Sequence, residues 1–273
     1  MGVGALPINT LSVSLIEHTA DLHLKNILVH SPSIASWSSE EDVYTYLGPP
    51  DRCDVFLTGA EEPAPFSPHV PAYIVMTPDP TSLLKLCLSH PSQVNIKICD
   101  FSESFIYSPG IKRKLHTPAV YAAPEILLDD DPSPASDVWA FAVLVYFLVS
   151  GGCYLFPSYR SIPNEVLSSM VQSLGKFAEH LWLKWAERGQ YLDESGQWVA
   201  GPKRKPIFGG CSGRMNEQQM IPFESMIRKM VAYEPRERAT MAEVVDGLIP
   251  DTWSLVDAGD VGTKVDSEPI QIV

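Results

Sequence analysis

The sequence predicts an α+β fold, mainly α, on three observations. Ser133 to Ser150 is apolar all round, which a helix tolerates only when it is buried on every side. Three further stretches have helical length and pattern: Asn164 to Leu174, Pro222 to Ala232 and Met241 to Leu248. Two short apolar-flanked stretches, one centred on His18 to Asn26 and one ending at Asp100, read as brief strands that carry polar groups to their ends.

Taken in order, Leu11 to Val29 predicts a strand, a tight loop and a second strand, and a polar loop between apolar flanks is where function concentrates. From Ser31 to about Pro91, Pro, Ser, Asp and Glu become frequent, so this is an insertion with short ordered patches at Glu40 to Leu47 and Ala72 to Met76. Val94 to Phe101 alternates and stops at Asp100, as a strand delivering a carboxylate would, or a surface strand ending in a turn. Thr240 and Glu243 form a capping-box pair before the last helix. The connection Gly189 to Gly213 carries Lys203-Arg204-Lys205, which fits a docking element or a solvated loop. The tail after Trp253 is acidic and expected to be loose.

A chain of 273 residues with 45% hydrophobic content can bury a sizeable core. The net charge of −13 argues against nucleic-acid or anionic-membrane partners, which need clustered cations, and favours basic ones. Five scattered cysteines without a C-x-x-C pair suit a reducing compartment and no zinc knuckle. No cation precedes Lys25, so a secretory n-region is missing, and Leu6 stands where a myristoylation signal wants Ser or Thr. The longest uncharged apolar run, Val138 to Val149, is too short for a bilayer span of about 20 residues.

The chemistry-bearing residues come as an ordered series. Asp21 and Asn26 lie in His18-Thr19-Ala20-Asp21-Leu22-His23-Leu24-Lys25-Asn26. Asp100-Phe101-Ser102, Thr117-Pro118, Ala123-Pro124-Glu125, Asp137-Val138-Trp139 and Arg238 follow. In this order they resemble the C-terminal lobe of the protein kinase superfamily: catalytic loop, D-F-G, A-P-E, the buried helix and the late Arg. The closest likeness is to SR-protein kinases of the fungal type. It rests on His18-Thr19, on the long insertion before Asp100, and on the texture of Ser36 to Glu41, Gly48-Pro49-Pro50 and Trp182 to Arg188. The resemblance covers 16–253, with 31–91 as the insertion, 1–15 as a leader outside the family and 254–273 as the tail.

The resemblance implies serine/threonine phosphoryl transfer from ATP. Asp21 would be the catalytic base, with His23 at the place of the catalytic-loop Lys. Asn26 and Asp100 would bind Mg2+ and with it the nucleotide, and Thr117 would line the substrate pocket. Glu125 and Arg238 would form a buried pair, and Asp137 would brace the catalytic loop. It also implies a protein partner, Arg-Ser-rich in view of the acidic charge, and an intracellular location, in cytoplasm or nucleus.

Several positions depart from the family pattern. Only twenty residues precede Asp21, with no glycine-rich loop or V-A-I-K segment among them, so the N-lobe is expected to be absent from this chain and turnover negligible. One extra residue separates His18 from Asp21; Ala20 replaces the Arg that receives an activation-segment phosphate; His23 replaces a permanent cation; Ser102 replaces Gly. The alternative reading is therefore an inactive pseudokinase acting as an interaction module.

Overall fold

The computed structural model describes residues 19–30, 32–56, 58, 68–76, 95–110, 112–199 and 215–248. The strand expected before His18, His18 itself, the basic patch 203–205 and the tail lie outside them. The described residues form two compact units, one within Lys25–Asp100 and the other made of 19–24 together with Phe101 onward.

In the first unit the strands are β1 (Ile27–His30), β2 (Arg52–Asp54), β3 (Tyr73–Val75) and β4 (Asn95–Ile98). β1 pairs antiparallel with β4, Ile27 opposite Ile98 and His30 opposite Asn95. Because side chains alternate across a strand, Ile27, Val29, Ile96 and Ile98 share one face of this ribbon. Val29 and Ile96 on that face are more than half exposed. The patches predicted inside the insertion are a helix and a second ribbon. Helix α1 spans Pro32–Ala35 and α2 spans Glu40–Leu47. Ser39 caps α2 in a reciprocal box with Asp42, whose carboxylate accepts from the Ser38 and Ser39 N–H groups. Those bonds hold the Asp42 carboxyl below its ordinary range. Arg52 of β2 lies over the ring of Tyr73 of β3 at 4.6 Å, across the second ribbon.

The second unit is helical: α3 (Pro124–Leu127), α4 (Pro134–Ser150), α5 (Pro163–Leu174), α6 (Glu179–Lys184), α7 (Glu217–Met230) and α8 (Met241–Leu248). Helix α4 is the predicted all-round apolar segment, and Val138, Trp139, Ala142, Val143 and Tyr146 are buried in it. It stops at Gly151, whose left-handed φ of 74° costs no Cβ clash. Trp139 stacks on Phe156 at 5.2 Å and on Tyr233 at 6.4 Å, and α7 adds Phe223, Ile227 and Met230 to the core.

One expectation is corrected. Helix α7 begins at Glu217, five residues before Pro222, because Asn216 and Gln219 cap it reciprocally; Pro222 lies inside the helix and forfeits a single backbone bond. Outside the expected helices, Glu179–Lys184 forms a further short helix. Helix α6 carries Trp182 into the core, and Trp185 follows it there. Their indole N–H groups donate to Glu194 Oε2 and Asn164 Oδ1, and Lys176 and Arg188 lie over the Trp182 ring. Gly196 closes this segment at φ 81°, where a Cβ would come within 3.2 Å of Lys176 Cβ.

Candidate active site

The catalytic-loop residues are positioned from helix α4. Asp137 lies in its first turn, and its carboxylate accepts from the Thr19 N–H at 2.6 Å and the Ala20 N–H at 3.1 Å. Two hydroxyls take the carbonyls of the same residues. Thr117 Oγ1 donates to Ala20 O at 2.6 Å, and Ser104 Oγ donates to Thr19 O at 3.0 Å. Thr19 and Ala20 thus have both backbone polar groups bound by side chains. Ala20 is buried and held at φ 64°, a left-handed conformation that costs a residue with a Cβ roughly 1–2 kcal/mol.

Asp21 follows directly, its Oδ2 3.4 Å from Nε2 of the buried His23. The His23 ring packs against Tyr121 at 5.9 Å. Burial, and then the adjacent Tyr154, push the Tyr121 hydroxyl up to about 12. A phenol whose folded value is raised keeps its proton when the unfolded chain loses it, so its stabilisation is complete below pH 10 and disappears as pH rises toward 12. In alkaline unfolding curves, Tyr121→Phe is expected to lessen the loss of stability between pH 10 and 12; an unchanged slope would exclude this group as a contributor.

Thr117 opens a tight turn in which the Tyr121 and Ala122 N–H groups donate to Pro118 O. The Val120 N–H donates to Ser161 Oγ at 3.3 Å, tying this turn to the loop before α5. The segment ends in α3, where Glu125 meets Arg238 in a two-pronged pair: Nη1 to Oε1 at 2.7 Å and Nη2 to Oε2 at 2.6 Å. Ser136 Oγ also donates to Glu125 Oε1, and Arg238 donates to the carbonyls of Ala135, Ala232 and Tyr233. Both side chains are buried.

Asn26 and Asp100 belong to the first unit. The β1–β4 register aligns them, because the Cys99 N–H donates to Asn26 O at 2.9 Å and Asp100 is the next residue. Asn26 is buried, whereas Asp100 is exposed at φ 58°. An amide oxygen and a carboxylate at one end of a ribbon are hard oxygen donors, which suit Mg2+ shared with substrate phosphates. Among the described residues no group of three or more His, Cys, Asp or Glu offers a self-sufficient metal site. Sequence reasoning did not single out Ser104. The signal available was its place four residues after Asp100, beside a loop that had lost its Arg at Ala20.

The protein kinase domain family matches residues 86–247, more than half of the chain, and the match includes Asp100, Thr117, Glu125, Asp137 and Arg238. The chain belongs to the protein kinase family. Asp21 and Asn26 precede the matched span, separated from it by most of the insertion. Serine/threonine-protein kinase ppk5 of Schizosaccharomyces pombe is 30% identical over 161 residues, covering 57% of this chain and 19% of that one. Dual specificity protein kinase CLK1 of Homo sapiens is 27% identical over 161 residues, 55% of this chain and 32% of its own. Serine/threonine-protein kinase SRPK of Physarum polycephalum is 24% identical over 135 residues, 46% of this chain and 32% of its own. The chain therefore matches about a third or less of the length of these kinases. Its mainly helical structure fits a protein kinase fold. Among the described residues no helix is long and apolar enough to cross a membrane.

Proposed function

We propose that this chain is the C-terminal lobe of an intracellular serine/threonine kinase of the SR-protein-kinase type, acting on basic Arg-Ser-rich protein segments. The observation that carries the reading is the loop into Asp21, where Asp137 and Thr117 clamp the residue just before the proposed base. Asp21 accepts the proton of the substrate hydroxyl, and the fixed loop keeps its carboxylate from swinging away. Asn26 and Asp100 are the residues that would hold magnesium. When bound there, magnesium would neutralise charge on the phosphates of ATP, which would supply the phosphoryl group. Thr117 lines the pocket for the acceptor Ser or Thr. His23 lacks the permanent cation of a Lys and so gives weaker support to developing charge.

Neither a glycine-rich loop nor a V-A-I-K segment, the parts that clamp the ATP phosphates, stands before Asp21 among these 273 residues. Phosphoryl transfer to an Arg-Ser peptide by the 273 residues alone is therefore expected at background in a radiolabel assay. The same residues joined to a kinase N-lobe that carries those parts are expected to transfer, and Asp21→Asn to lower that rate by roughly 10²–10⁴-fold. Asp21-dependent turnover by the 273 residues alone would show that catalysis does not need those parts. An extended protein indifferent to Asp21→Asn would remove the kinase reading in favour of an interaction module, which Ala20 and His23 at two family positions favour.

A further inference from the structure

We infer that Ser104 is a positioning residue for the Asp21 loop, coupling the start of the activation segment to the catalytic base without any phosphate. The inference rests on the assignment of Asp21 above, but its geometry stands apart from it. Ser104 is set in place by its own turn, its N–H donating to Phe101 O at 3.1 Å, and from there its hydroxyl reaches Thr19 O at 3.0 Å. Thr117 reaches the next carbonyl, Ala20 O, from the far end of the same segment.

The two tethers bracket a residue that would not choose its conformation unaided. Ala20 is at φ 64°, and left-handed backbone in a residue with a Cβ persists only where its surroundings over-determine it. Four bonds do so here. Two come from Asp137, in a buried helix that has no reason to move, and two come from the hydroxyls of the activation segment. When that segment lifts away, both hydroxyl bonds go with it, and the loop carrying Asp21 is free to relax. Ala20 has no cation with which to receive a phosphate, so docking of the segment falls to hydroxyl donors already present. Of the two, Ser104 is the residue without another proposed task, since Thr117 also faces the substrate.

Hydrogen exchange of the 273-residue chain, followed by mass spectrometry, tests this. Ser104→Ala is expected to speed exchange of the catalytic-loop amides, residues 19–24, by about five- to tenfold, the effect of one lost hydrogen bond on local opening, while the amides of helix α4 keep their rates. Ser104→Thr keeps the donor and is expected to restore wild-type exchange. Unchanged loop exchange in Ser104→Ala would overturn the inference. So would a rise shared equally by α4, or one that Ser104→Thr fails to reverse, because either would mark a general loss of stability. These results are independent of the Asp21→Asn transfer assay, whose failure would remove the kinase reading and leave the tether in place.

Discussion

Arg238→Ala is expected to lower stability by about 3–5 kcal/mol, the range for removing one partner of a buried ion pair. For a chain of this size that is a fall in the thermal midpoint of roughly 6–20 °C. The pair itself is a modest net stabiliser, because burying two charges costs nearly as much as their attraction returns. The loss on mutation is large for another reason. With the guanidinium gone, Glu125 is left with the Ser136 hydroxyl as a donor, and the Ala135, Ala232 and Tyr233 carbonyls each lose the arginine donor. Arg228→Ala is the matched control, since Arg228 pairs with Glu224 one helical turn away and is half exposed. Its expected cost is below about 1 kcal/mol. Thermal melts of both variants decide the matter, and equal small shifts would mean that the Glu125–Arg238 contact does not hold α3 to the segment before α8.

What the sequence made legible followed from local rules with strong signals. Helix α4 was readable because a run with no polar face can be stable only inside, and α8 because Thr240 and Glu243 spell a reciprocal cap; the Glu243 carboxylate does accept from the Thr240 N–H. The family was readable because its short motifs come in a fixed order. Residues whose identity is decided at a distance were not readable. Helix α6 is six residues long, too short to show a period, and its Trp182 is buried through contacts with Lys176, Arg188 and Glu194. The start of α7 was misread because proline's preference for a first turn outweighed the less conspicuous Asn216–Gln219 pair. At the site, residue types were nameable but their connections were not. An extra residue before Asp21 signals a reshaped loop, yet nothing local says that Ala20 turns left-handed or that Ser104 and Thr117 hold it there.

Trp139→Ala is expected to cost about 3–5 kcal/mol, comparable to Arg238→Ala, because removing one of the three buried indoles among the described residues would leave a cavity that its neighbours close only in part. Trp139 is fully buried, sandwiched with Phe156 and Tyr233, and the Arg238 guanidinium lies 5.0 Å from its ring centre. Its indole N–H has no hydrogen-bond partner among the described residues, a buried donor left unsatisfied at a cost of about 1–3 kcal/mol. Trp139→Phe removes that donor and keeps most of the stacking surface, so it is expected to cost far less than the alanine variant, by at least about 2 kcal/mol. The ring also steers Arg238: a guanidinium held over an aromatic face is attracted to it by roughly 0.5–2 kcal/mol. The Arg238→Ala and Trp139→Ala losses should therefore be non-additive, the double variant falling short of their sum by about 0.5–3 kcal/mol. Denaturant titrations of the wild type, both single variants and the double close this cycle. Additive losses would mean that the core stack and the Glu125–Arg238 pair are separate supports, and that the buried helix does not help to aim the arginine.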